Sequence, residues 1–187
     1  MSKLGDQEMK EMLKDKFENG LTSAQFEATL GDNRELHEHH YKKNDVSAHR
    51  DKLEGKLSGI KILIITEPWC GDSLAVVPTL LKTFVDMDGI EIRFVLRDQN
   101  MDVMEHYLTN GGAAIPKFIV MDGKYNELFN WGPRPKAAQD IFEEHRQAIN
   151  DGKIEKADVH KKIRVFYAKD RGNAILDEFG GLLLDSI

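Results

Sequence analysis

A single cysteine, Cys70, stands in 187 residues, so no disulfide can close within the chain, and any redox chemistry must join this sulfur to one from outside. Long apolar runs are missing as well, since none approaches the roughly 18 residues that a membrane helix requires. The stretch from Met1 to Phe17 is charged where a secretory leader would be apolar, so a cytoplasmic location without a membrane partner is expected. Positive charge is in deficit: 26 Lys and Arg face 32 Asp and Glu, and the net charge of −6 repels phosphate backbones and argues against a nucleic-acid partner. No internal repeat or low-complexity segment interrupts the chain. What is present is 41% hydrophobic and 31% charged, the composition of a soluble globule, and the length suits one core with extensions rather than two independent domains.

From Leu4 to about His40 the pattern is helical. Thr22 and Gln25 form a capping box, with Leu21 and Phe26 placed as its hydrophobic staple, so a helix is expected to start near Ser23. Leu53 and Leu57 lie on one face of a further short amphipathic segment. Residues 1–57 therefore read as a helical N-terminal extension. Ile60 to Thr66 is nearly all apolar and β-branched, the pattern of a strand buried on both faces. Leu74, Val77, Leu81 and Phe84 then recur at spacings of three and four, a helix packed by one stripe. Ile90 to Leu96 gives a second strand and Met101 to Leu108 a short helix, so the first two strands should pair in parallel. Lys117 to Met121 and Tyr125 to Trp131 read as an antiparallel hairpin turning at Asp122-Gly123, with positive φ expected there. Pro135 opens a helix that Asp151-Gly152 closes, and two amphipathic helices follow as a C-terminal extension, 151–187, packing on the core of 58–150.

The chemistry concentrates in Trp69-Cys70-Gly71-Asp72-Ser73, between the first core strand and its helix. A sulfur there meets the unpaired N–H groups and dipole of a helix N-terminus, which favour the thiolate. Glu67 and Asp72 oppose it as nearby negative charges, and the thiol pKa is expected to shift downward on balance.

The order β-α-β-α-β-β-α with Trp-Cys-Gly-x-Ser after the first core strand resembles a thioredoxin of bacterial type. Pro78, Ile115-Pro116, Asp98-Gln99-Asn100 and Gly132 fall where that family has related features. The resemblance covers about residues 58–150. It implies an α/β fold: a thioredoxin-like mixed four-stranded central sheet flanked by helices, here with helical extensions at both ends. It also implies a cis bond before Pro116, and a substrate groove formed by Trp69, Gly71, Asp72, Ile115 and Pro116 in which the backbone at Ile115 pairs with an extended chain. The departures matter more. Ser73 stands in place of the second cysteine; its hydroxyl can donate to the Cys70 thiolate but cannot attack a mixed disulfide. Ile64 and Phe94 replace the family's buried acid and lysine, and Asp72 replaces its proline.

The resemblance therefore implies a monothiol oxidoreductase. Cys70 and Ser73 are its catalytic pair, and its mixed disulfide is resolved by an external thiol, with no metal or other cofactor. Its partners would be protein disulfides or low-molecular-weight thiols. The alternative is a redox-inactive peptide-binding or holding module on the same fold. A cluster-sharing monothiol glutaredoxin fits Trp69 and Ala114-Ile115-Pro116 poorly, and a peroxidase is disfavoured by Glu67, where a threonine is usual. His37, Glu38, His39 and His40 form a ligand-rich group but read as a solvated helix face, and Arg134, beside Gly132, could meet an anionic group such as the carboxylate of a small thiol but reads as a surface residue. Phe179, Leu182 and Leu183 could make a homodimer contact, although packing onto the core is the default for such a helix.

Overall fold

The computed structural model describes residues 5–187; Leu4, where the helical pattern opens in the sequence, lies outside them. In chain order the elements are α1 (Asp6–Glu18), α2 (Ser23–Ala28), α3 (Arg34–Lys43), α4 (Ser47–Leu53), β1 (Ile60–Thr66) and α5 (Gly71–Phe84). After these come β2 (Ile90–Leu96), α6 (Met101–Met104), β3 (Lys117–Met121), β4 (Glu127–Trp131), α7 (Lys136–Asn150), α8 (Lys156–Asp170) and α9 (Asn173–Asp185). The sheet is mixed and four-stranded in the order β2-β1-β3-β4. β1 is parallel to β2 and antiparallel to β3, and β3 is antiparallel to β4. Among the described residues, no helix is long and apolar enough to cross a membrane.

Strand periodicity divides the core into two layers. Ile60, Ile62 and Ile64 of β1, with Phe118 and Val120 of β3, face one side with α5 and α9. Leu63, Ile65, Ile119 and Met121 face the other, where Leu13 and Phe17 of α1 meet Val103 and Met104 of α6. The terminal helices thus supply both covers of the sheet. Ile64 pairs with Phe94 across β1 and β2, and the Phe26 ring stacks on Phe94 at 4.5 Å, so an apolar contact fills the space that a buried ion pair would occupy. Thr22 and Gln25 make the capping box, and Leu21 exchanges two backbone hydrogen bonds with Phe94 of 2.8 and 2.9 Å, covering the edge of β2.

Three local expectations need correction. The hairpin does not turn on a two-residue Asp-Gly loop. The positive φ falls on Tyr125, at 64°, while the Asp122 carboxylate accepts hydrogen bonds from the backbone N–H groups of Lys124 and Asn126 and from the Asn126 side chain. A side-chain-organised loop preceded by a register shift at Val120/Met121 therefore delays β4 to Glu127. The helix read to Leu108 stops at Met104, because His106 and Tyr107 bond back to Val103 and Met104 in tighter turns and the chain folds over at Thr109 to Gly112.

The histidine-rich helix face is not solvated. His37 and His40 are 3% and 8% exposed because α3 packs against α5, while His39 stays outside. Both His37 ring nitrogens lack a hydrogen-bond partner among the described residues, and burial holds the imidazole down to about 4 from its ordinary 6.5. An unfolded chain takes up the proton below pH 6.5 while the folded chain refuses it until about 4, so stability falls across that interval as the solution is acidified. The loss attributable to His37 should reach about 3 kcal/mol at the acid end. Urea unfolding of the wild type and His37→Phe at pH 7 and pH 4.5 checks this: the variant should lose clearly less stability on acidification, and equal losses would exclude His37 as the cause.

Candidate functional site

Cys70 is the N-cap of α5, and its carbonyl accepts the first helical bond from Leu74 at 3.0 Å. Cys70 is partly exposed, and Sγ donates to the Ile115 carbonyl at 3.4 Å; Ile115-Pro116, and Gly132-Pro133 on a second loop, are both cis. Ser73 lies one turn into α5, 2% exposed, and accepts the Thr66 hydroxyl at 2.7 Å, which leaves its own proton for the sulfur. Trp69 is 55% exposed and lies under the Arg97 guanidinium, 5.1 Å from the ring centre. Gly71 is open; a Cβ there would meet nothing within 4 Å. Gly132 is the reverse case. At φ 115° a Cβ would lie 2.3 Å from the Pro116 carbonyl oxygen, so only glycine lets these two loops touch.

The expected downward shift of the thiol does not hold. Burial pushes the Cys70 thiol up, the Ser73 side chain and N–H offset part of that, and the Asp72 charge adds to the rise. Glu67 plays no part at the sulfur, because its carboxylate is turned to accept the Asp98 N–H at 2.8 Å. The helix start does supply N–H donors from Asp72 and Ser73, but burial outweighs them.

Asp72 is drawn away from the motif's surface. Arg134 pairs with it at 2.6 Å, both side chains being about nine-tenths buried, and the Tyr167 hydroxyl of α8 donates to its other oxygen at 2.9 Å. Arg134 is therefore not a surface residue; it lies on the Phe142 ring of α7 at 5.1 Å. The partnership was invisible in the sequence because Tyr167 is 95 residues from Asp72. Lys117 was missed as well. It is 5% exposed and ties Thr109 to the Gly132 carbonyl with two 3.0 Å bonds, bracing the loops beneath the cysteine. Around the sulfur opens a cavity of about 500 Å³, walled by Trp69, Cys70 and Ile115 on one side and by α7 and the start of α8 on the other.

A thioredoxin family model matches residues 20–148. The chain belongs to the thioredoxin family. The match begins ahead of β1, at the segment that covers the edge of β2. No curated protein matches the sequence. Among solved structures, a protein of unknown function from Pseudomonas aeruginosa superposes with a TM-score of 0.68 at 19% identity, over 91% of this chain and 96% of that one. An HIV epitope-scaffold superposes at 0.70 with 18% identity, over 93% and 98%. Both share the fold. Within it Trp69, Cys70, Asp72 and Ile115 come together at the cavity, whereas Ser73 lies beneath the sulfur. Phe179 and Leu183 are completely buried, so neither is free for a dimer contact; Leu182 is 39% exposed.

Proposed function

We propose that the protein is a monothiol thiol-disulfide oxidoreductase of the cytoplasm. In this reading Cys70 attacks a disulfide, Ser73 donates a hydrogen bond to the thiolate, and an external thiol releases the product. Trp69, Gly71, Asp72, Ile115 and Pro116 frame the groove for a protein disulfide or a low-molecular-weight thiol. The observation that carries the reading is a partly open cysteine at a helix N-terminus, facing a cavity with a hydroxyl donor beneath it. A raised pKa shapes the chemistry in a definite direction: a more basic thiolate is the better nucleophile once formed and the poorer leaving group, so its mixed disulfide should persist. Ser73, unable to attack, lengthens that lifetime further.

A second reading, a redox-inactive peptide-holding module, draws support from the same burial and from the thiol's bond to the Ile115 carbonyl. The pH dependence of Cys70 alkylation, followed by intact mass, separates the two. The midpoint is expected above the ordinary thiol value of about 8.5, and labelling should still go to completion at high pH. A protein that labels only after denaturation would favour the holding module. Ser73→Ala should move the midpoint higher still, since a donor to the thiolate is lost.

A further inference from the structure

The cavity wall opposite Cys70 has a charge that the chain as a whole does not. In a protein of net charge −6, Arg97, Arg134, Arg146 and Lys156 line this one cavity with Asp72 as the sole carboxylate, and Arg134 already holds that carboxylate. Part of this charge serves the fold. Arg97 is occupied by Asp98 and by the Ala113 carbonyl, and Arg146 reaches Glu143 with one nitrogen. Arg134 is held by Asp72, which leaves Lys156. Lys156 makes no ion pair among the described residues, and its ammonium lies 5.9 Å from the centre of the Phe142 ring on which Arg134 also rests. Arg134 Nε and Nη1, Arg146 Nε and His160 Nε2 are buried without a hydrogen-bond acceptor among the described residues. A buried donor left unpaired is costly, so four such atoms on three side chains around one cavity demand an explanation.

We propose that this wall, formed by Arg134, Arg146, Lys156 and His160 around Phe142, binds the carboxylates of a small polyanionic thiol whose sulfur is presented to Cys70. The inference rests on the monothiol reading and names its resolving thiol by class. Guanidinium and ammonium groups are the natural partners of carboxylates, and a cavity of about 500 Å³ is of ordinary size for a small-molecule ligand. The reaction balances with the named class alone. The Cys70 thiolate attacks one sulfur of the small thiol's disulfide, the new S–S bond forms as the old one breaks, and one molecule departs as thiolate, taking up the proton that Cys70 released. Cys70 is oxidised and the departing half reduced; attack by a second small thiol on the mixed disulfide reverses the change.

The test compares rates of Cys70 mixed-disulfide formation, by intact mass at low salt, with oxidised glutathione as the anionic probe and cystamine as the cationic one. Wild-type protein should prefer the anionic disulfide by about tenfold, and Arg146→Gln/Lys156→Gln should lose most of that preference, with salt doing the same. These two positions leave the Asp72–Arg134 pair in place, and circular dichroism checks that the variant folds. An equal ratio in wild type and variant, or a wild-type preference for cystamine, overturns the anion wall while leaving the monothiol reading intact. Failure to react with either disulfide overturns the monothiol reading instead. Calorimetry of the Cys70→Ser chain with S-methylglutathione, which has no reactive sulfur, then decides the wall by itself: saturable binding lost in the double variant supports it, and no binding overturns it.

Discussion

Asp72→Asn is expected to lower the unfolding free energy by about 3 kcal/mol, a large loss for a residue in the first turn of a helix. The substitution keeps the shape of the side chain and an oxygen for the Tyr167 hydroxyl, and removes only the charge that faces Arg134 at 2.6 Å. Asp72 and Arg134 are 11% and 10% exposed at their side chains, so a lone, largely buried guanidinium would remain, with two of its nitrogens unpaired among the described residues. That stranded cation, more than the lost bond, sets the cost. A further Arg134→Met change should therefore recover much of the stability, and urea unfolding of the two single variants and the double variant measures the coupling. A loss under about 1 kcal/mol for Asp72→Asn would mean that solvent reaches the pair. The same variant carries a second readout at the sulfur. Because the Asp72 charge raises the Cys70 thiol, its removal should bring the alkylation midpoint down.

Phe179→Ala should cost about 3–5 kcal/mol, and it tests whether the C-terminal helix is part of the core. Phe179 has no exposed surface, and its ring centre lies between 5.6 and 5.9 Å from those of Phe84, Phe118, Phe129 and Trp131, reaching α5, β3 and β4 at once. No neighbour can collapse into the space without leaving another of these rings, so the cavity term adds to the lost burial. Thermal or urea unfolding should show one cooperative transition at reduced stability. A separate early transition, or a loss under about 1.5 kcal/mol, would instead make α9 an independent appendage.

Much of the architecture is written in local pattern. The run Ile60 to Thr66 has no polar face and must lie inside; the three-and-four spacing after Cys70 fixes which side of α5 meets it; Thr22 and Gln25 announce a helix start by themselves. Each depends on neighbours within a turn or two, and the signal is complete in a short window. Even so, local dipeptides misled where side chains organised the backbone: Asp122-Gly123 suggested a tight turn, but the Asp122 carboxylate built a longer one.

By itself the sequence determined the family, the sheet and the place of its single sulfur at a helix start. Only the tertiary structure decided the chemistry around that sulfur. Helix-end electrostatics argued for a lowered thiol pKa, but desolvation depends on which loops close over Cys70, and those come from Ile115 and Gly132, far along the chain. Likewise Asp72 has a partner only because α8 folds back to present Tyr167, and the cationic wall exists only because α7 and α8 converge across the cavity. Burial and long-range ion pairing are properties of the whole packing, so no window of sequence contains them.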